Sequence, residues 1–415
     1  MPKFRRSALV VLPLGIVALS SAAVFAASTK TKTAPAAVAE EAAVPAAAID
    51  SKLVLSSYVE LVYRNYKDAY DDAVALDKAI DKFLAQPTDL TLKAAKEAWL
   101  KARESYGQTE AFRFYEGPID FVNQAQGTEG PEGFLNAWPL NEAYIDYVQG
   151  NLKAGIINEV PPKPITKKRL IERNQAEDEA DVATGYHAIE FLLWGQDLSS
   201  DTPGTRPIAD YITKAPANIT AVERRRTYLK TVADLLVDDL KFLVDSWEPG
   251  KDNYARQWAG GNDNEHLSQM LTGIATLSGF ELASERMGTS LDSGDQEDEH
   301  SCFSDNTHND FIYNAKGIAN VYFGQYRDYK GKASLDALLA AKDKKLAAQV
   351  AKQLKETERL MAAIPFPIDR EVLSTPKGSK GREAMEKAVA SLQKQADLFK
   401  KAGEVLGLKV EVVSE

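Results

Sequence analysis

Apolar residues recur every three or four positions along most of this chain, the spacing of one face of an α-helix. Leu53, Val54, Val59, Leu61 and Val62 begin the first such stretch, which continues through Tyr66, Tyr70, Val74 and Ile80 to Leu84, where Pro87 stops it. Thr88 or Thr91 can cap the next helix, through Leu92, Ala95, Trp99, Ala102, Tyr106 and Phe112 to Phe114, with Gly117-Pro118 as terminator. A short helix is predicted over 140–149 and a long one over 178–198. Further helices are predicted over 221–244, over 264–287 with an end at Gly288, and over 309–322, 334–362 and 381–403. Alternating runs of Val, Ile and Thr are nearly absent, so a sheet is not expected and the fold class is all-α.

The order of elements repeats. Each half shows a long helix, a second helix ending in an acidic and arginine-bearing turn, a polar loop, and further helices. The turns carry Glu110, Arg113 and Glu116 in the first half and Glu281, Glu285 and Arg286 in the second. This order predicts two helical bundles related by internal duplication, over 50–220 and 221–415.

The N-terminus sets an address. Lys3, Arg5 and Arg6 precede an apolar run from Ala8 to Leu19, and small residues follow to Ala26, which predicts a secretory signal peptide over 1–26. The Ala-, Thr- and Pro-rich stretch over 27–49 has too little apolar bulk to order itself and is expected to be a tether. The run is too short and too interrupted, by Pro13 and Gly15, to serve as an anchor, so no transmembrane span is expected in the mature protein. The expected location is the periplasm, with association to the outer membrane left open. Removing the leader moves the formal net charge from −10 to about −13, which disfavours nucleic acid as a partner. Acidity suits cation binding and equally suits a solvated surface. The lone cysteine, Cys302, forbids an internal disulfide.

Chemistry concentrates in three places. In GYHAIEFLLWG (185–195), His187 and Glu190 stand three apart, so imidazole and carboxylate share one helix face within an apolar segment. Such a pair can hold zinc or iron. It can equally be a buried hydrogen-bonded pair, or Glu190 can be paired with an arginine such as Arg113. In EDEHSCFSDNTH (297–308), His300, Asp305 and His308 are candidate metal ligands, while Asp305 or Asn306 can instead cap the following helix. In EAFRFYEGPID (110–120), Glu110, Arg113, Glu116 and Asp120 offer charge for a ligand or for the metal site's surroundings. HExxH, a Gly-rich phosphate loop, a Rossmann fingerprint, a nucleophile elbow and CxxCH are all missing.

These three segments also carry a resemblance. GYHAIEFLLWGQD resembles the GxHxxE signature of the imelysin-like proteins, with Gly185, His187 and Glu190 at the signature positions. TEAFRFYEGPID and DEHSCFSDNTHNDFIYNAKGIANVYFGQY are similar to that family's iron-regulated protein A branch. The resemblance spans the chain from about residue 50 and implies two duplicated helical bundles, a role in iron acquisition, and a metal site at GxHxxE. It leaves two functions: a non-catalytic protein that binds iron, zinc or an iron-bearing small ligand between its halves and works with an envelope partner, or a metal-dependent peptidase.

Overall fold

The computed structural model describes residues 49–123, 128–213 and 219–412. The leader and tether expected over 1–26 and 27–49 lie outside these residues, apart from Ile49. Among the described residues helix accounts for 68% and strand for 3%, so the fold is all-α. The described residues fall in one compact unit, Pro45–Glu415.

In chain order the helices are α1 (Ser51–Ala85), α2 (Asp89–Thr109), α3 (Glu132–Leu135), α4 (Glu142–Ile145), α5 (Gly155–Asn158), α6 (Lys167–Arg173), α7 (Gly185–Trp194) and α8 (Ile219–Trp247). They continue as α9 (Tyr254–Ala259), α10 (Asp263–Thr276), α11 (Thr289–Ser293), α12 (Thr307–Phe323), α13 (Leu335–Lys342), α14 (Lys344–Met361) and α15 (Lys380–Leu406). The strands among the described residues form two antiparallel hairpins: β1 (Phe121–Asn123) with β2 (Thr128–Glu129), and β3 (Gln325–Tyr326) with β4 (Tyr329–Lys330).

The long helices form where an apolar stripe meets a capped start. Asp50 caps α1 by accepting from the Lys52 amide, and Thr88 and Thr91 close a reciprocal capping box at the start of α2. The buried stripe of α1 packs on both α2 and α8, while α12 lies on α2 and α15 lies on α14. Helix α7 is buried along its whole length and packs against α2 and α8. No helix among the described residues is long and apolar enough to cross a membrane.

Several predicted boundaries move. The helix expected over 178–198 is only α7, because Asn174 Oδ1 accepts from the amides of Ala183 and Thr184 at 2.8 and 3.2 Å and holds the preceding segment extended. Gly185 and Gly195, at φ +82° and +76°, bracket the helix. The helix expected to end at Phe114 leaves α-geometry after Thr109 and tightens into a 3₁₀ turn, Glu110–Phe112. The short helix expected over 140–149 contracts to α4. The helix expected to stop at Gly288 runs on: α10 widens into a π-helical stretch, Leu277–Gly288, then returns to α11, and left-handed Gly294 ends it. The stretch expected as one helix over 334–362 divides at Asp343, whose carboxylate caps α14 by accepting from the Leu346 amide at 2.9 Å.

Candidate functional site

Helix α7 brings its histidine and glutamate into contact. His187 and Glu190 are 1% and 0% exposed, and His187 Nδ1 lies 2.9 Å from Glu190 Oε2. The other carboxylate oxygen, Oε1, accepts from the Ser304 amide at 2.9 Å and the Ser304 hydroxyl at 2.6 Å. Arg113 is not the partner of Glu190. The hydrogen-bonded pair is the arrangement observed, and the loop before α12 closes over it.

Burial pushes Glu190 up to about 8, against the pull of the two Ser304 donors, and pushes His187 well below the ordinary imidazole range, with His300 and Arg103 adding positive potential. The pair is therefore not a standing ion pair. When Glu190 is ionised and accepts Nδ1–H, the lone pair of His187 Nε2 is exposed to whatever lies beside it. That nitrogen is buried and has no hydrogen-bond partner.

His300 lies beside it. The two imidazole centroids are 4.7 Å apart, and the Trp138 ring meets His187 edge-on at 4.9 Å. His300 Nε2 is 3.4 Å from Asn136 Nδ2, a long contact in which the amide donates. Its Nδ1 is 3.4 Å from Asp310 Oδ2 and lacks a well-formed hydrogen bond. Asp310, fully buried on α12, also accepts from Arg103 Nε at 3.2 Å, and Arg103 donates to Asn136 Oδ1 at 2.6 Å.

Beyond His300 opens a cavity of about 300 Å³ walled by Arg113, Glu132, Trp138, Glu281, Arg286 and His300. Its charges pair across the chain's two halves. Arg286 donates to Glu110 at 2.6 Å and to Glu281 at 2.8 Å, while Arg113 donates to Glu110 at 2.9 Å and lies 3.1 Å from Glu132 and 3.6 Å from Glu281. Burial alone would raise Glu110, but Arg113 and Arg286 outweigh it and hold the carboxyl at about 2. Glu132 is raised by its burial, which outweighs the pull of Arg113.

The remaining candidates lie elsewhere. Asp305 contacts Asp197 and Asp369 instead of His187, and its left-handed backbone at φ 56° leaves the N-cap position of α12 to Asn306. His308 stacks near Phe366 at 6.0 Å. Asp120 Oδ2 accepts from the Glu116 amide at 3.1 Å, bracing the Gly117-Pro118 turn. Gly185 supplies backbone geometry, since a Cβ there would stand 2.5 Å from the Leu135 carbonyl oxygen. Burial raises the Cys302 thiol far above its ordinary range, which suits packing and not nucleophilic work.

Sequence reasoning passed over Arg103, Asn136, Trp138, Ser304 and Asp310. For Arg103 a signal existed: it stands four residues after Trp99 and three before Tyr106, within the buried stripe of α2, where a charge demands a partner.

The imelysin family profile, which also carries the label peptidase M75, matches residues 62–399. Iron-regulated protein A of Synechococcus elongatus is 27% identical over 343 residues, covering 80% of this chain and 81% of that protein. Among solved structures, a protein from Parabacteroides distasonis described as an iron-regulated protein A precursor superposes with a TM-score of 0.65 at 21% identity, covering 85% of this chain and 94% of the other. An imelysin-like protein from Psychrobacter arcticum gives a TM-score of 0.61 at 15% identity, covering 88% and 98%. At these identities the two structures speak for the fold alone.

Proposed function

Because the chain belongs to the imelysin family, we propose that it is an exported, non-catalytic binding protein of the periplasm that holds iron, or zinc in its place, at the buried pair His187 and His300. The carrying observation is that His187 Nε2 is buried without a hydrogen-bond partner, with the His300 ring 4.7 Å away and its accepting Nε2 held only by the long contact from Asn136. A free or weakly held lone pair on a buried neutral imidazole is what a borderline-soft cation takes as a ligand. Glu190 then orients His187 from behind, as carboxylates commonly do for metal-bound histidines, and does not bind the ion itself. The cavity beyond His300 has room for water or a small iron-bearing ligand, and its arginine and glutamate rim can accept one of mixed charge. The name of the Synechococcus relative favours iron among the candidate metals.

The division into bundles over 50–220 and 221–415, related by duplication, is part of the same proposal. It is supported by the exchange between the two matching turns, in which Arg286 pairs with Glu110 and Arg113 with Glu281.

The test measures metal content and thermal stability together. Wild-type protein, stripped and then dialysed near neutral pH against iron or zinc, is expected to retain about one ion per chain, and to hold it through the ordinary titration range of histidine, because burial keeps both imidazoles from taking up protons there. His187→Ala and His300→Ala should lose most of it, and Glu190→Gln should bind roughly ten- to a hundredfold more weakly. Wild-type protein that takes up neither metal, while the variants simply melt earlier, would make the cluster a structural hydrogen-bond network. The peptidase label makes a second measurement worthwhile: turnover of a protein substrate that chelation abolishes would replace the binding role with an enzymatic one.

A further inference from the structure

Asp305, left out of the histidine cluster, meets two other aspartates. One carboxylate oxygen from each of Asp197, Asp305 and Asp369 lies within 4.8 Å of the others, the one such group of three or more candidate ligands among the described residues. Three separate segments deliver them: the turn after α7, the loop before α12, and the π-turn Asp369–Leu373. Calcium binds oxygen at about 2.3–2.6 Å, so ligands on opposite sides of one ion stand up to about 5 Å apart. The observed span fits inside that limit.

Surface carboxylates often cluster without a ligand, but two of these three are buried and Asp305 is partly buried. Asp197 and Asp369 are 3% and 4% exposed, and neither oxygen of Asp369 has a hydrogen-bond partner. Glu299 is 3% exposed, has an unpartnered Oε1, and feels the charge of all three aspartates. Among the described residues no ion pair joins a basic side chain to these carboxylates. Arg370, whose charge reaches Asp369, is engaged elsewhere, 2.9 Å from Glu371 and 3.5 Å from Asp201. Buried anionic groups left without donors or countercharge are costly, and a cation removes the cost. Protons relieve part of it: burial and mutual repulsion raise Asp197 to about 6 and Asp305 to about 7. A cavity of about 520 Å³ opens beside Asp197 and Asp369, with Ser293, Gly294 and Glu297 on its wall, so an ion can reach the group and keep water ligands.

We propose that Asp197, Asp305 and Asp369, with Glu299 as a further carboxylate, form a site for a hard divalent cation of the calcium class, separate from the histidine cluster. The donors are all oxygen, which selects against the imidazole-seeking metals. The ion ties the turn after α7 to the loop that carries both His300 and Ser304.

The test uses the full chain, stripped with a chelator and returned to buffer at pH 7.5 with 150 mM sodium chloride, to which calcium chloride is added. A saturable rise in melting temperature and a calorimetric stoichiometry of about one ion per chain are expected. Asp305→Asn, at the most exposed of the three positions, should weaken binding at least about tenfold while leaving the fold intact, and Asp369→Asn should do the same. His187→Ala should keep the full calcium response, which separates this site from the proposed iron site. Absence of heat and of thermal shift with both calcium and magnesium overturns the proposal, as does an Asp305→Asn protein that responds like wild type.

Discussion

Glu110→Gln is expected to destabilise the protein by about 3 kcal/mol at neutral pH, because it removes a fully buried carboxylate shared by the guanidinium groups of Arg113 and Arg286. Glu110 is 1% exposed and accepts from Arg113, Arg286 and, at 3.3 Å, Asn136. Gln keeps the shape and can still accept, but it leaves Arg113 and Arg286 to Glu132 and Glu281 alone. Burial raises Glu132, so it cannot be relied on to take over the charge. The depression of Glu110 from 4.5 to about 2 gives an independent figure of the same size, roughly 3 kcal/mol.

The sign of the pH dependence follows. A carboxyl whose folded value lies below its unfolded value stabilises fully above the unfolded value, near 4.5, and that stabilisation is lost as pH falls through about 2. Wild-type protein should therefore lose this contribution between about pH 4.5 and 2, and Glu110→Gln should lack that part of the slope. Denaturant unfolding at pH 7 and pH 3 measures both: the midpoint of the variant falls at pH 7 with little change in slope, and the gap to wild type narrows at pH 3. A variant indistinguishable from wild type at pH 7 would mean that Glu132 and Glu281 already neutralise the arginines.

How much of this was legible depends on whether the cause was local. Helices α1, α8 and α15 each bury one face and expose the other, so their periodicity marks them clearly. Helix α7 is buried on every side, so periodicity has nothing to contrast, and its start is fixed by Asn174, ten residues upstream of Thr184. The π-helical stretch before Gly288 keeps an apolar pattern that reads as continuous α-helix. Within the site, His187 and Glu190 were legible as neighbours because three residues is one turn of helix. The Arg103–Asp310 pair joins residues 207 apart, and no local pattern predicts that meeting. Asp305 was legible as a candidate ligand, but its partners Asp197 and Asp369 come from distant segments, and only the fold shows that it belongs with them and not with His187.

Gly185→Ala should be strongly damaging for a change of one methyl group, and Gly150→Ala shows why by contrast. Both glycines have nearly the same positive φ, +82° and +84°, so an alanine at either meets the same left-handed backbone penalty, roughly 1–2 kcal/mol. Around Gly150 a new Cβ meets nothing within 4 Å, and the backbone penalty is the whole effect. At Gly185 the Cβ would lie 2.5 Å from the Leu135 carbonyl oxygen and 2.8 Å from that of Phe134, and neither is a flexible side chain that can swing away. Helix α3 must then shift, and Asn136, the residue after it, moves with it. Asn136 touches Arg103, Glu110 and His300, so displacement reaches both the ion network and the proposed metal ligands. Gly185→Ala is accordingly expected to cost more than twice as much stability as Gly150→Ala and to lower metal retention, which Gly150→Ala should leave unchanged. Paired melting and metal-content measurements decide it: equal losses for the two variants would show that α3 yields to the extra methyl group and that the glycine of the GxHxxE segment serves its backbone angle alone.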